Sequence, residues 1–203
     1  MATTFYMRTL ASPLGGAGQL LASQMRGRAA TGLITTTVAS GTDIQVTQTA
    51  GGQALVWFTQ PIAQAVTLPG TASSITPNIR GNESATSVNA GAAITIDRCD
   101  NSGTVISNIL TTTEIGAEWG TAESTRSLGY SGTATTLAVG DRIKFTLRVV
   151  NVGTMGAGTT NYSINGVTTA SAGDTRVVFT PDIITDEIIE INQYQGGGTY
   201  GYN

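Results

Sequence analysis

Histidine is absent from this 203-residue chain, and cysteine occurs once. The first absence removes the commonest general base and the commonest zinc ligand. It also makes Ser-His-Asp and Cys-His arrangements impossible within the chain. The second excludes an internal disulfide. Cys99, between Arg98 and Asp100, is expected to be a small, half-buried thiol. Charge is scarce as well: 11% of residues carry one, against about 25% in an ordinary soluble domain. The net charge is −3 and no basic cluster is interleaved with aromatics, so nucleic acid is not an expected partner. No apolar run approaches the roughly 18 residues that cross a bilayer, and the first residues, Met-Ala-Thr-Thr-Phe-Tyr-Met-Arg, do not read as a secretory leader. Neither a membrane nor secretion is expected.

Threonine and glycine fill the space that charge leaves, at 35 and 26 residues. Threonine's branched carbon suits a pleated, half-buried surface, and glycine marks tight turns. The clearest strand lies within 139–151. Ile143, Phe145, Leu147 and Val149 fall on one side at period two, and Arg142, Lys144, Thr146 and Arg148 on the other. That is the pattern of a half-buried antiparallel strand, entered through Gly140-Asp141.

The rest of the chain falls into three parts. Residues 1–32 open with alternating Phe5, Met7 and Thr9, then turn Gly-rich and carry Arg8, Arg26 and Arg28 without an acid. Too few apolar residues are present for an independent core, so this is an expected N-terminal arm. Residues 33–181 read as a β domain of about ten short strands: Leu33–Val38, Asp43–Thr47, Ala54–Phe58, Val66–Leu68, Ser73–Arg80 with Pro77 marking an edge or bulge, and Ala93–Cys99. Asp100-Asn101-Ser102-Gly103 is a hairpin loop with Val105–Thr111 as its return strand. A polar connection over 112–132 holds Trp119 and Tyr130. Thr133–Val139 is expected to pair with Arg142–Val150 around Gly140-Asp141. Thr160–Ile164 turns at Asn165-Gly166 into Val167–Thr169, and Thr175–Phe179 ends the domain before Pro181. Residues 182–203 form an acidic, Gly-rich C-terminal arm with Asp182, Asp186, Glu187 and Glu190, no base, and the aliphatics Ile183, Ile184, Ile188 and Ile189. The fold class this predicts is all-β: an antiparallel two-sheet sandwich, a jelly roll, with extended N- and C-terminal arms. An immunoglobulin-like sandwich is the alternative.

The search for chemistry returns little. Glu114, Glu118 and Glu123 are scattered through a connection, and spacing alone does not make a glycosidase pair of them. Asp97, Asp100 and Asn101 are too few to define a calcium loop. Gly15-Gly16-Ala17-Gly18 lacks the lysine and strand context of a phosphate loop. No catalytic, cofactor-binding or metal-ligating residue is therefore assigned, and no enzyme is expected. Interface candidates are Arg8, Arg26, Arg28, Arg142, Lys144, Arg148, Ile183, Ile184, Ile188 and Ile189. The opposite signs of the two arms suggest contact between copies of the chain. Trp57 reads as core; Trp119 and Tyr130 read as core or as a glycan-stacking platform.

Phe5-Tyr6-Met7-Arg8-Thr9, Arg26-Gly27, Ala54-Leu55-Val56-Trp57-Phe58 with Pro61, Arg80-Gly81-Asn82-Glu83-Ser84 with Asn89, and Val139-Gly140-Asp141-Arg142-Ile143 together resemble a group of tailed-bacteriophage virion structural proteins. None of these is a catalytic motif, and the acidic C-terminal segment has no counterpart in the resemblance. What it implies is a jelly-roll virion protein of the head or tail, its position in the virion left open; the leading expectation is a capsid decoration (cement) protein that binds the major capsid protein or other virion proteins. It would be a homo-oligomer such as a trimer, assembled in the host cytoplasm and placed on the capsid surface. A neck, tail or fibre component, or a carbohydrate-binding β-sandwich module, is the alternative.

Overall fold

A computed structural model describes residues 2–7, 22–28, 42–47, 54–154, 156–164 and 175–186, and among these thirteen strands and no helix occur. The first half holds β1 (Thr3–Tyr6), β2 (Ala22–Arg28), β3 (Thr42–Thr47), β4 (Leu55–Thr59), β5 (Val66–Leu68) and β6 (Ile75–Glu83). Then come β7 (Ala90–Cys99), β8 (Val105–Ile115), β9 (Ser124–Ser127), β10 (Thr135–Leu137), β11 (Arg142–Asn151), β12 (Thr159–Ile164) and β13 (Arg176–Phe179). Hydrogen bonding runs β3-β12-β6-β13-β1-β2-β4-β11-β7-β8, with β9 on the free side of β6 and β10-β5 as a separate pair. All pairings are antiparallel except β2 with β4.

This path folds on itself at β2, so its two halves face each other. Phe5 on β1 and Phe179 on β13 meet Phe145 on β11, with ring centroids 5.9 and 6.2 Å from the Phe145 ring. Farther along, the Tyr162 hydroxyl on β12 donates to Gly91 O on β7 at 3.3 Å. The architecture is an all-β sandwich of the jelly-roll kind, as the strand spacing predicts. One position needs glycine for the close approach of strands: a Cβ at Gly81 would lie 2.5 Å from Asn161 O.

Several expectations change. Residues 3–7 are not part of an outlying arm. β1 is paired on both edges, by β13 and β2, and Phe5 and Met7 are wholly buried. Two apolar side chains suffice when the rest of the chain supplies the core around them. Residues 182–186 likewise lie against the body. Ile183 N–H donates to Thr3 Oγ1 (2.6 Å), Ala63 N–H to Ile184 O (2.8 Å) and Asp186 N–H to Pro61 O (2.8 Å).

The expected β10–β11 hairpin does not form. β10 pairs with β5, and β11 lies between β4 and β7. The Gly140 turn instead bonds Ile62, through Gly140 N–H to Ile62 O (2.8 Å) and Ile62 N–H to Asp141 O (2.7 Å). The 112–132 connection contains the end of β8 and all of β9. Pro77 is tolerated inside β6 because Ile75 N–H points to Tyr130 O (3.1 Å), away from β13. Two residues on, the proline nitrogen faces that same side, in the gap past the end of β9, whose last residue Ser127 lies opposite Asn78. Leu33–Val38, the Asn165-Gly166 turn and Val167–Thr169 lie outside the described residues.

Candidate interaction surface

β11 places its basic residues in three different settings. Arg142 was expected on a solvated face, yet it is only 7% exposed. Its Nη1 donates to Thr59 O (2.8 Å) and its Nε to Asn101 O (3.0 Å). Burial lowers its pKa from the ordinary arginine value, and the charge of Asp186 opposes that shift. This guanidinium therefore ties β4 to the 100–104 loop. Lys144 is half-buried, in register with Phe58 and Asp97. Thr146 is buried, and only Arg148 is exposed in the manner of a solvated strand face. The row does not form one basic patch. Because β11 has a neighbour on each side, its polar face is partly covered.

Asp141 organises the turn before β11. Its Oδ2 accepts Arg98 Nε–H and Ala138 N–H, both at 2.6 Å. Gly140 takes a positive φ of 89° there, which a side chain would strain. Asp141→Ala is expected to cost roughly 1.5–3 kcal/mol, the range for losing hydrogen bonds to a charged group, read as a lower urea midpoint at unchanged m. An unaltered midpoint would mean the turn holds without its carboxylate.

Four of the six large aliphatic side chains exposed among the described residues cluster at this same end of the sandwich. Val139, at 67%, caps the turn; Val105 and Ile106 start β8 beside the 100–104 loop; Ile184 flanks residues 60–63. Sequence reasoning selected Ile184 and missed the other three. An aliphatic residue at the apex of a Gly-Asp turn was the available signal for Val139. Ile183, also selected, is buried. Arg26 and Arg28 lie on β2, opposite Tyr6 and Thr4. Arg8, Ile188 and Ile189 lie outside the described residues.

The glycan-platform reading fails at Trp119. The ring is 1% exposed, meets Tyr162 edge-on at 5.4 Å, and donates from Nε1 to Ser124 O (3.3 Å). A sugar cannot stack on it from solvent. Tyr130 is half-buried, its hydroxyl donating to Glu114 O; burial, with Glu114 nearby, raises its pKa.

The remaining candidates are also internally committed. Asp100 Oδ1 accepts Ser102 N–H, Ser102 Oγ–H and Thr104 N–H within 2.9 Å. Those bonds, the Ser102 hydroxyl's first, lower its pKa. Asp97 Oδ1 accepts Asn108 Nδ2–H (2.7 Å). Among the described residues no three acidic or thiol side chains group as metal ligands. Cys99 is fully buried rather than half-buried, and burial pushes its thiol up to about 11, so it is held as a neutral thiol.

No family model and no curated protein matches the sequence. Among solved structures, two of a CocE/NonD family hydrolase from Staphylococcus aureus are 8% and 9% identical, with TM-scores of 0.51 and 0.52. They cover 91% and 92% of this chain, which in turn spans only 37% and 36% of theirs. A structure of infectious bursal disease virus, Gx strain, is 11% identical over 88% of this chain and 51% of that one, with a TM-score of 0.37. The similarity to the hydrolase structures is one of fold: a β-sandwich that elsewhere forms about a third of a longer chain.

Proposed function

We propose that this chain is a non-enzymatic virion structural protein, a capsid decoration protein that binds an assembled shell through inter-subunit contacts. The observation that carries the reading is the cluster of exposed aliphatics, Val139, Ile184, Val105 and Ile106, at one end of the sandwich. Exposed apolar groups gathered in one region mark contact surfaces more often than solitary ones do. Residues 182–186 lie at this end, with Asp186 N–H bonded to Pro61 O, and the acids of the 182–203 sequence supply a charge by which a basic partner surface would be selected. A further copy of this chain, with its acid-free first 42 residues, or the major shell protein would serve as that partner. The resemblance to phage virion proteins points the same way.

A cement protein acts by mass action: binding only the assembled shell lowers the shell's free energy by an amount set by affinity and occupancy. Particles stripped of the protein are expected to open at lower temperature than replete ones, and re-adding it restores them. Re-addition of a Val139→Lys/Ile184→Lys double variant is expected not to. Equal robustness of stripped and replete particles would overturn cementing. Copy number then places the protein: hundreds per particle mean the shell, and a single small ring's worth means a neck or tail position.

A further inference from the structure

The opposite end of the sandwich holds a buried carboxylate that the proposed shell contact does not use. β6 points Ile75, Pro77, Ile79, Gly81 and Glu83 to its covered side, and the last of these puts an acid where the pattern calls for an apolar residue. Glu83 is 1% exposed. Its Oε1 accepts Ala90 N–H at 2.5 Å, while its buried Oε2 has no hydrogen-bond partner. Directly across on β12 stands Thr160, wholly buried, whose Oγ1 is also without a partner.

Three loops meet at this residue. Glu83 N–H donates to Gly120 O (3.0 Å), and Trp119 N–H to Ala90 O (3.1 Å), which joins the 116–123 loop. The 84–89 loop, closed by the Glu83–Ala90 bond, holds the 152–158 loop through Gly156 N–H to Ser87 O (2.7 Å) and Asn89 Nδ2–H to Thr154 O (2.6 Å).

We propose that Glu83 is a proton-operated latch: as the neutral acid it sits dry beneath the closed 84–89 loop, and as the anion its unpartnered Oε2 draws in water and opens that loop. The Ala90 bond by itself favours the anion. The proposal does not depend on the shell-binding reading. A buried carboxylate anion with one N–H donor and no cation paired to it among the described residues is costly, whereas the acid is not. The groups facing it offer no relief. The 116–123 loop brings Glu118, whose charge disfavours a second anion, and Arg126 on β9 donates to Glu118 O. β12 brings the Tyr162 phenol, which donates to Gly91 O and Arg148 O. The first turn of β7 and the 84–89 and 152–158 loops contain no ionisable side chain. Burial foremost, then Glu118, raises the carboxyl's pKa above the ordinary 4.5, against the opposing Ala90 bond.

The sign follows from linkage. A raised folded-state value means the stability Glu83 contributes is complete below the ordinary value and is lost as pH rises through the folded one. Each unit between the two values costs tenfold in the folding constant. The test is the carboxyl titration of Glu83 followed by NMR, with thermal midpoints and Ala90 amide protection measured against pH for the parent, Glu83→Gln and Glu118→Gln. The parent is expected to lose midpoint and Ala90 protection as pH rises above 4.5. Glu83→Gln, whose amide oxygen keeps the Ala90 bond and which cannot ionise, should lack the loss that Glu83 causes there. Glu118→Gln should fall by less than the parent. Parallel profiles for parent and Glu83→Gln, or a Glu83 titration at or below the ordinary value, would overturn the latch. The titration of the parent decides the matter even if a variant fails to fold.

Discussion

Phe5→Ala is expected to lower stability by roughly 3–5 kcal/mol, the range for truncating a large buried aromatic. A chain lacking residues 1–7 is expected not to reach the native state at all. The ring of Phe5 is wholly buried and touches both halves of the sandwich, with centroids 5.9 Å from Phe145 and 5.8 Å from Phe179. Truncation forfeits the transfer of the ring from water, leaves a cavity between two rigid sheets, and breaks two tilted or edge-on ring contacts. Those contacts are each worth about 0.5–1.5 kcal/mol beyond burial. Against a total stability of about 5–15 kcal/mol, that is a large fraction. Deleting the segment goes further, because β1 is hydrogen-bonded to β13 on one edge and β2 on the other, and Met7 N–H donates to Thr175 O (3.0 Å). Removing it would open two buried sheet edges. Urea unfolding followed by the fluorescence of Trp57 and Trp119, both buried, reads the effect. A Phe5→Ala chain within 1 kcal/mol of the parent would return residues 1–7 to the status of an arm.

The fold class was legible because it depends on local signals that act everywhere along the chain. Period-two alternation identified β11, and the Asp100–Gly103 turn identified the β7–β8 hairpin, which the structure closes with Asp100 N–H to Thr104 O (2.9 Å). What was not legible is which strands become neighbours. The turn at Gly140 reads as a hairpin in sequence, but the partners of β11 are β4 and β7, about ninety and fifty residues upstream by the register of Phe145 with Trp57 and Ile96. Nothing local encodes that pairing. It arises because β11 is apolar enough for a central position, and a central strand needs a neighbour on each edge. Arg142 is buried there as well, its guanidinium bonded to β4 and the 100–104 loop rather than to solvent.

The candidate surface was less legible for a related reason. Exposure of Val139 and Ile106 is set by which strands stop short of covering them, a property of the assembled sheet. Ile183 and Ile184, adjacent and chemically identical, divide into a buried and an exposed residue because the segment lies flat along Pro61–Ala63. Glu83 could have been noticed as an acid on the apolar side of an alternating run, but only the cross-strand position of Thr160 and the three converging loops give it meaning.

Trp119→Ala is expected to be as damaging as Phe5→Ala, at roughly 3–5 kcal/mol, and the way it fails separates two readings of the residue. Trp119 lies in a loop between Glu118 and Gly120, where sequence allows either a sugar-stacking surface or a core side chain. In the structure its ring is packed edge-on against Tyr162, and its Cε2 lies 3.5 Å from where a Cβ on Gly81 would stand. Its indole N–H is spent on Ser124 O. Removing the ring uncovers the inner end of Tyr162, while the backbone bond from Trp119 N–H to Ala90 O stays in place. A core role predicts that Trp119→Ala and Tyr162→Ala are individually severe and together less than additive, because the pair shares one contact and one cavity. A glycan platform predicts the reverse: an unchanged urea midpoint together with abolished binding on a glycan array. Loss of binding by a Trp119→Ala chain that has also lost several kcal/mol says nothing about sugars. Tyr130→Phe supplies the cleaner comparison, because Tyr130 is half-buried and its ring would remain in place with only the hydroxyl bond to Glu114 O removed. Its stability is expected to change by about 1 kcal/mol. Retained structure with lost glycan binding in that variant is the one outcome that would move Tyr130 from the packing of the sandwich to a recognition surface.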